Sequence, residues 1–403
     1  MKALLLLSPL LAGPVTAQQS HTRYELGEPG SGLFRIVYDV TATEAGATSY
    51  LNPIRTGAEV SDVAVTDLAS GAELAVEQVE GDDGGTFLKV ELPRPVPTVG
   101  GCRLRIDKTY RDAASYTYAE EAGELIFDRS LGIKRNRVVL PAGFELVGCN
   151  VPSQVLEEAD GRIAVSFLND FPAAAPLRVR ARLRLERVLG EARELAPEHL
   201  IQGPPPPRAP ASPELGGPFA VPAANTRDIV YFLRQPETHA FRLYHDYTEV
   251  RTGVGQYLNV VRPGSSVDDP EALNLDTGEE LAVETLRGEA IAAAGIELGA
   301  PPTPETQVVV IRFPAVEEGG STRLRITETY TDAARYGLLS ADELVWSRTF
   351  GRSSNAVVLP PGWYLTASAL PVAVTEMDDG RIRLQLTNDR PDQLATWIRA
   401  RRR

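Results

Sequence analysis

The sequence is poor in the residues that most enzymes use for metal and nucleophilic chemistry. Its 403 residues include 4 histidines, 2 cysteines and 2 methionines. His21 lies near the start and His199 in a proline-rich stretch, whereas His239 and His245 share one expected strand. At about 3.3 Å per residue that last pair is roughly 20 Å apart, too far to hold one ion. Two cysteines, Cys102 and Cys149, are too few and too widely spaced for a CxxC redox motif or a structural zinc site. Neither a GxSxG elbow nor a Walker phosphate loop occurs. No catalytic residue, metal ligand or cofactor is therefore assigned from the sequence.

Long apolar runs and positive charge are also missing. The segment Leu4 to Leu11, broken by Pro9, falls far short of the roughly 20 residues that span a bilayer, so no membrane span is expected. With Lys+Arg 41 against Asp+Glu 54, the net charge is -13 and the pI about 5.0. Such a field repels polyanions, which excludes nucleic acid as a partner. Lysine occurs only at Lys2, Lys89, Lys108 and Lys134, so nearly all basic charge is arginine.

What is present begins with an address. Lys2, the short apolar core and Val15-Thr16-Ala17 form the pattern of a secretory signal over residues 1–17, with cleavage before Gln18. The chain is expected in the periplasm or outside the cell. In an oxidising compartment Cys102 and Cys149 are expected to pair, closing a loop that would contribute roughly 4 kcal/mol in the chain-entropy model.

The chain also resembles itself. FRIVYDVTATEAGATSY from Phe34 matches FRLYHDYTEVRTGVGQY from Phe241, and the offset of 207 holds for Asn52/Asn259, Arg55/Arg262, Gly71/Gly278 and Glu77/Glu284. After an insertion in the second copy, RLRIDKTYRDAASY from Arg103 faces RLRITETYTDAARY from Arg323 at an offset of 220. One residue less, 219, aligns ELIFDRSLGIKRNRVVLPAGF from Glu124 with ELVWSRTFGRSSNAVVLPPGW from Glu343. A repeat this long makes each copy a folding module rather than a stacking unit. Copy 1 spans 22–188 and copy 2 spans 225–403. Between them, residues 189–224 lose hydrophobic periodicity and gather prolines (Pro204 to Pro207, Pro210, Pro213, Pro218, Pro222), the composition of a semi-rigid spacer.

Within each copy apolar residues alternate with polar ones. Arg178-Val179-Arg180-Ala181-Arg182-Leu183-Arg184-Leu185 is the clearest case, the period of a half-buried strand. Turn signals separate many short strands, and Asp160-Gly161 predicts a two-residue type I′ hairpin with positive φ at both positions. The expected fold is all-β: two tandem antiparallel β-sandwich domains from an internal duplication, joined by the Pro-rich linker.

Candidate site residues are weighed against this repeat. The carboxylates kept in both copies, Asp39/Asp246, Glu77/Glu284, Asp112/Asp332 and Glu124/Glu343, accompany turns and core residues and read as structural. Asp82-Asp83 and Asp268-Asp269 are acidic clusters without the alternating spacing of a calcium loop. Trp346 and Trp363 align with Phe127 and Phe144, which is a core pattern, and Tyr110, Tyr116, Tyr330 and Tyr336 read as corner residues. Trp397, by contrast, aligns with Arg178 on an outward face. With Arg178, Arg180, Arg182 and Arg184 it is the candidate binding surface, although four like charges in a row are first expected to be matched by carboxylates. The function expected is a non-catalytic exported binding or structural module contacting envelope or extracellular glycan or protein. An accessory subunit of an exported hydrolase complex and a carboxylate-dependent glycosidase are the alternatives.

Overall fold

The computed structural model describes residues 20–81, 84–184, 227–298, 301–390 and 393–403. The expected signal segment 1–17 and linker 189–224 lie outside the described residues, as does Asp82-Asp83. The described chain is nearly all β, a sandwich-like arrangement of antiparallel sheets. Alternation builds the strands: Cys102–Arg111 buries Cys102, Leu104, Ile106, Lys108 and Tyr110 on one face and turns Arg103, Arg105 and Arg111 outward. A period of two allows only one face to be dry.

Strand order repeats between the copies. In copy 1 the order is Glu59–Asp67, Cys102–Arg111, Leu33–Ala42, His21–Leu26, Arg135–Val139, antiparallel except for the parallel last pair. In copy 2 it is Ser266–Asn274, Thr322–Thr331, Ala240–Glu249, Arg227–Leu233, Ser354–Val358, again with a parallel last pair. Each copy also carries a three-stranded sheet: Ser49–Ile54, Thr86–Glu91 and Val76–Glu80 in the first, Gln256–Val260, Gln307–Arg312 and Ala282–Arg287 in the second.

Irregularities repeat as well. The register slips between Ser61 and Ala64, and again between Asp268 and Glu271, with Asp62 at φ 52 and Asp269 at φ 49. Aspartate is among the few residues that tolerate this left-handed backbone, so Asp268-Asp269 belongs to a β-bulge. The Asp160-Gly161 hairpin differs from the type I′ expectation. Only Gly161 takes positive φ, at 80, while the Gly161 N–H bonds the Glu158 carbonyl and Glu158 N–H the Arg162 carbonyl. This is a type I turn closed by a glycine bulge, which suits Asp160 because its carboxylate accepts the Arg162 N–H at 3.1 Å from an ordinary backbone. Asp379-Gly380 repeats it.

The core is aromatic. Trp346 is sealed, with its ring centroid 5.2 Å from Tyr231, 5.8 Å from Phe350 and 6.4 Å from Phe241. In copy 1 Phe34 lies between Tyr24 and Tyr110 at 6.3 and 5.9 Å. Tyr116 and Tyr336 are the expected corners: the Tyr116 hydroxyl donates to the Gly27 carbonyl at 2.8 Å, and Tyr336 donates to the equivalent Arg234 carbonyl.

Two compact units result. One holds the described residues up to Thr117 with Ser130–Val139 and Leu168–Ala175; the other holds Tyr118–Arg129, Leu140–Phe167 and Pro176–Arg403. The second unit therefore contains strands of both copies. Its centre is Phe144–Glu157, a 14-residue strand whose counterpart in copy 2 is split into Trp363–Ser368 and Val372–Glu376. The long strand pairs antiparallel with both pieces, placing Cys149 opposite Val374, Ser153 opposite Val372 and Leu156 opposite Ala367.

Arginines stitch this seam with a two-fold logic. Arg182 holds Glu376 at 2.6 Å, and the same two positions with the copies exchanged give Arg401 on Glu157 at 2.7 Å. Arg184 likewise donates to the Tyr364 hydroxyl at 2.6 Å, and its counterpart Arg403 bonds Glu145 at 2.9 Å. Such reciprocity is that of an isologous dimer interface, here inside one chain. Charge-assisted hydrogen bonds with a largely buried acceptor contribute more than exposed ion pairs. Glu376→Ala and Glu157→Ala are each expected to cost about 1–2 kcal/mol, read as matching shifts in the urea midpoint. Unequal shifts would contradict the reciprocal geometry.

Candidate functional site

The arginine row of Ala175–Leu183 is largely engaged. Arg180 forks onto Glu124 at 2.7 and 2.8 Å, while Arg182 and Arg184 enter the seam. Arg178 keeps about half its side chain exposed (53%), with Asp128 at 3.7 Å. Trp397 is half-buried on Leu394–Arg402, opposite Ser347, with the Arg399 guanidinium 6.0 Å from its ring. Carboxylates therefore match Arg178, Arg180 and Arg182, while Arg184 is held by the Tyr364 hydroxyl.

The expected disulfide is not formed. Cys102 and Cys149 are both free and buried, and they fall in different compact units. The Cys102 thiol faces the Arg94 carbonyl at 3.7 Å, and the Cys149 thiol faces the Val151 carbonyl at 3.1 Å and the Ser153 hydroxyl at 3.5 Å. Burial pushes the Cys149 thiol up, away from the reactive thiolate. Wide sequence spacing carried no information about which strand each cysteine would join.

His239 and His245 serve local structure. His239 ends a short 3-10 turn at φ 53 and its Nδ1 lies 2.8 Å from the Tyr336 carbonyl oxygen. His245 is buried edge-on to Tyr257, with ring centroids 5.5 Å apart. The duplicated carboxylates are bound in turn. Arg105 forks onto Asp39 and Arg325 onto Asp246, all at 2.7–2.8 Å. These guanidinium bonds hold Asp39 below the ordinary carboxylate range, and Arg180 does the same to Glu124. Among the described residues no group of three or more His, Cys, Asp or Glu is placed to hold a metal.

What the copies do not share is more informative. Copy 1 turns from Val76–Glu80 to Thr86–Glu91 within a few residues, where the Gly84 N–H bonds the Gly81 carbonyl. Copy 2 inserts a longer excursion between Ala282–Arg287 and Gln307–Arg312. Gly288, at φ 51 and with Pro304 crowding the place a side chain would take, opens a helix over Glu289–Ala293. Ile291 anchors that helix on Ile296, Val308 and Val310. The chain returns through Pro301-Pro302-Thr303, closed by Thr303 N–H to Thr306 Oγ1 at 2.8 Å and Thr306 N–H to the Thr303 carbonyl at 3.0 Å.

Between this return and the end of Gln256–Val260 lies a cleft of about 540 Å³. Val260, Val261, Pro263, Leu298, Pro301 and Pro302 line it, with Thr303, Glu305 and Thr306 as polar groups. Concave, mostly apolar walls with a few polar groups are the usual form of a ligand site. A second cleft, about 450 Å³, lies beside Pro270, Glu280 and Arg325, and a third, about 350 Å³, beside His21, Asp39 and Arg135. Arg325 and Asp39 in these are already committed to ion pairs.

No family model and no curated protein matches the chain. Solved structures do. An M1 zinc metallopeptidase from Deinococcus radiodurans is similar over 40% of this chain and 41% of its own, at 16% identity and TM-score 0.29. An aminopeptidase N family protein from Idiomarina loihiensis is similar over 40% of this chain and 29% of its own, at 10% identity and TM-score 0.28. The chain thus spans less than half of each, and at these scores the likeness bears on no residue or activity.

The interior holds one further difference. Lys108 of copy 1 is buried, donating to the Asn52 side-chain oxygen Oδ1 and 4.9 Å from the Tyr110 ring. At the matching position copy 2 has Glu328, and the matching amide reverses its role: Asn259 Nδ2 donates to both Glu328 oxygens at 2.8 Å and to the Tyr330 hydroxyl at 3.0 Å. One asparagine, carrying both a donor and an acceptor, satisfies opposite charges in the two copies. The signal was visible as DKTY against TETY. Burial raises the Glu328 carboxyl, and Asn259, Arg352 and Arg348 only partly oppose this. A carboxyl raised on folding favours the protonated form, so its contribution is present below the unfolded carboxylate range and is lost as pH rises through the folded value. Glu328→Gln is therefore expected to melt higher than wild type at pH 7 and to converge with it at acidic pH. A constant gap across the pH series would refute this.

Proposed function

We propose that the chain is an exported, non-catalytic binding module, and that the copy 2 cleft takes an apolar side chain from an extended segment of a protein partner. The observation that carries this is the cleft's position at the end of Gln256–Val260, an edge strand of its three-stranded sheet. An edge strand offers unpaired backbone groups to an added strand, and a pocket beside it selects alternate side chains. Val260 is half exposed there, and the walls are aliphatic and proline rather than the aromatic platform that stacks on a sugar. Glu305 on the rim favours a basic neighbour in the incoming segment.

The carboxylate chemistry supports the same reading. An acid catalyst in a glycosidase needs a carboxyl raised into the working pH range, whereas Asp39 and Glu124 are drawn down by arginine. Glu328 is raised, yet it is sealed at 1% exposure. Panning a random peptide display library on the purified chain tests the proposal. Enrichment of peptides sharing an apolar residue is expected, with affinity falling about tenfold in Val260→Asp, a change on an exposed side chain. Glycan-array binding without peptide enrichment, or peptides indifferent to Val260→Asp, would sink it.

A further inference from the structure

The two copies treat one aspartate differently. In copy 1 Asp112 is satisfied within its own turn: Oδ1 accepts the Ala114 and Ser115 N–H groups at 3.2 and 3.1 Å, and Oδ2 accepts the Ser115 hydroxyl at 2.6 Å. In copy 2 the residue matching Ser115 is Arg335, and Asp332, fully buried, relies on the Ser265 hydroxyl at 3.1 Å. Arg335 and Arg348 approach Asp332 Oδ2 only to 3.5 and 3.6 Å, ion pairs without a hydrogen bond. Among the described residues Asp332 Oδ1 and Arg348 Nη1 are buried with no hydrogen-bond partner.

Arg348 is fixed in place. Its side chain is nine-tenths buried, and its guanidinium carbon stands 5.0, 5.3 and 5.6 Å from the Phe241, Tyr330 and Tyr231 rings. Arg262, half-buried on the loop after Gln256–Val260, completes the group; burial and the charges of Arg348 and Arg335 push its guanidinium down, opposed by Asp332. Two guanidiniums thus stand at the Asp332 carboxylate, and Arg262 is near enough to feel the charge of all three residues. Glu328, raised by burial, faces Arg348 and Arg352, so within this group the guanidiniums outnumber the carboxylates in a chain of net charge -13. Crowded, half-desolvated like charges are costly unless an opposite charge joins them.

We propose that Arg262, Arg335 and Arg348 of copy 2 form a binding site for an oxyanion, a phosphate, sulfate or carboxylate group. The guanidinium fork matches such groups in geometry as well as charge, and Arg348 Nη1, 3.6 Å from Asp332 Oδ2 and without a hydrogen bond, is a donor already held in place. Arg335 is one-third exposed, so solvent reaches the cluster from that side. Copy 1 keeps Arg55 and Arg129 at the positions of Arg262 and Arg348 but has Ala58 and Ser115 at those of Ser265 and Arg335, so the three-arginine group belongs to copy 2. Arg262 lies on the same loop as the cleft residues Val261 and Pro263, but the site is built from other side chains and does not rest on the peptide reading.

Isothermal titration of the full chain at constant ionic strength tests the site, using inorganic phosphate, sulfate and acetate as separate probes with chloride as background. Saturable binding of at least one probe with unit stoichiometry is expected, weakened about tenfold or more in Arg335→Ser, which installs the copy 1 residue, and in Arg262→Gln. Phosphate above acetate assigns a phosphorylated or sulfated group, and acetate equal to phosphate a carboxylate. No saturable heat with any probe, or binding that both folded variants retain unchanged, would overturn the proposal.

Discussion

One long strand governs the arrangement of the second compact unit. Phe144–Glu157 runs through positions where copy 2 breaks into two strands, and it pairs with both. Arginines on neighbouring strands can then reach carboxylates of the other copy, and Arg182–Glu376 and Arg401–Glu157 become one contact made twice. The Val155 N–H, bonded to the Ser368 hydroxyl at 3.1 Å, shows how closely the backbones fit. Cys149 occupies the position equivalent to Ser368, so a buried thiol and a hydroxyl mark the two sides of the seam.

Much of this was legible beforehand. Alternation named the strands, and the repeat separated the structural carboxylates from the rest: Asp39 and Asp246 recur in step with their strands, and each meets the matching arginine, Arg105 or Arg325. The hairpin tips were located correctly, although the turn type was not. Asp160 and Gly161 suit both a two-residue loop and a longer bulged one, and hydrogen bonds of the flanking residues decide between them. The disulfide failed for a different reason: compartment and an even count say that cysteines can pair, whereas tertiary placement says whether they meet.

The sites were less legible than the fold. The copy 2 insertion was visible only as a change of offset, and its walls come from a loop, a strand end and a proline-rich return that no periodicity joins. The arginine excess was hidden for the opposite reason. Arg348 follows Trp346 on an alternating strand and so points into the core, where an arginine is unexpected. Reading Ser115 against Arg335, and Lys108 against Glu328, would have exposed both places. Comparing the copies for identity finds what the fold needs; comparing them for reversal of charge finds where they have parted.

A half produced alone would present an open strand edge and a set of arginines cut off from their carboxylates, the kind of surface that drives edge-to-edge association. With Arg182–Glu376 and Arg401–Glu157 made reciprocally, loss of either half leaves the other with unpaired charge. A change at one contact of the seam is therefore felt by both halves at once.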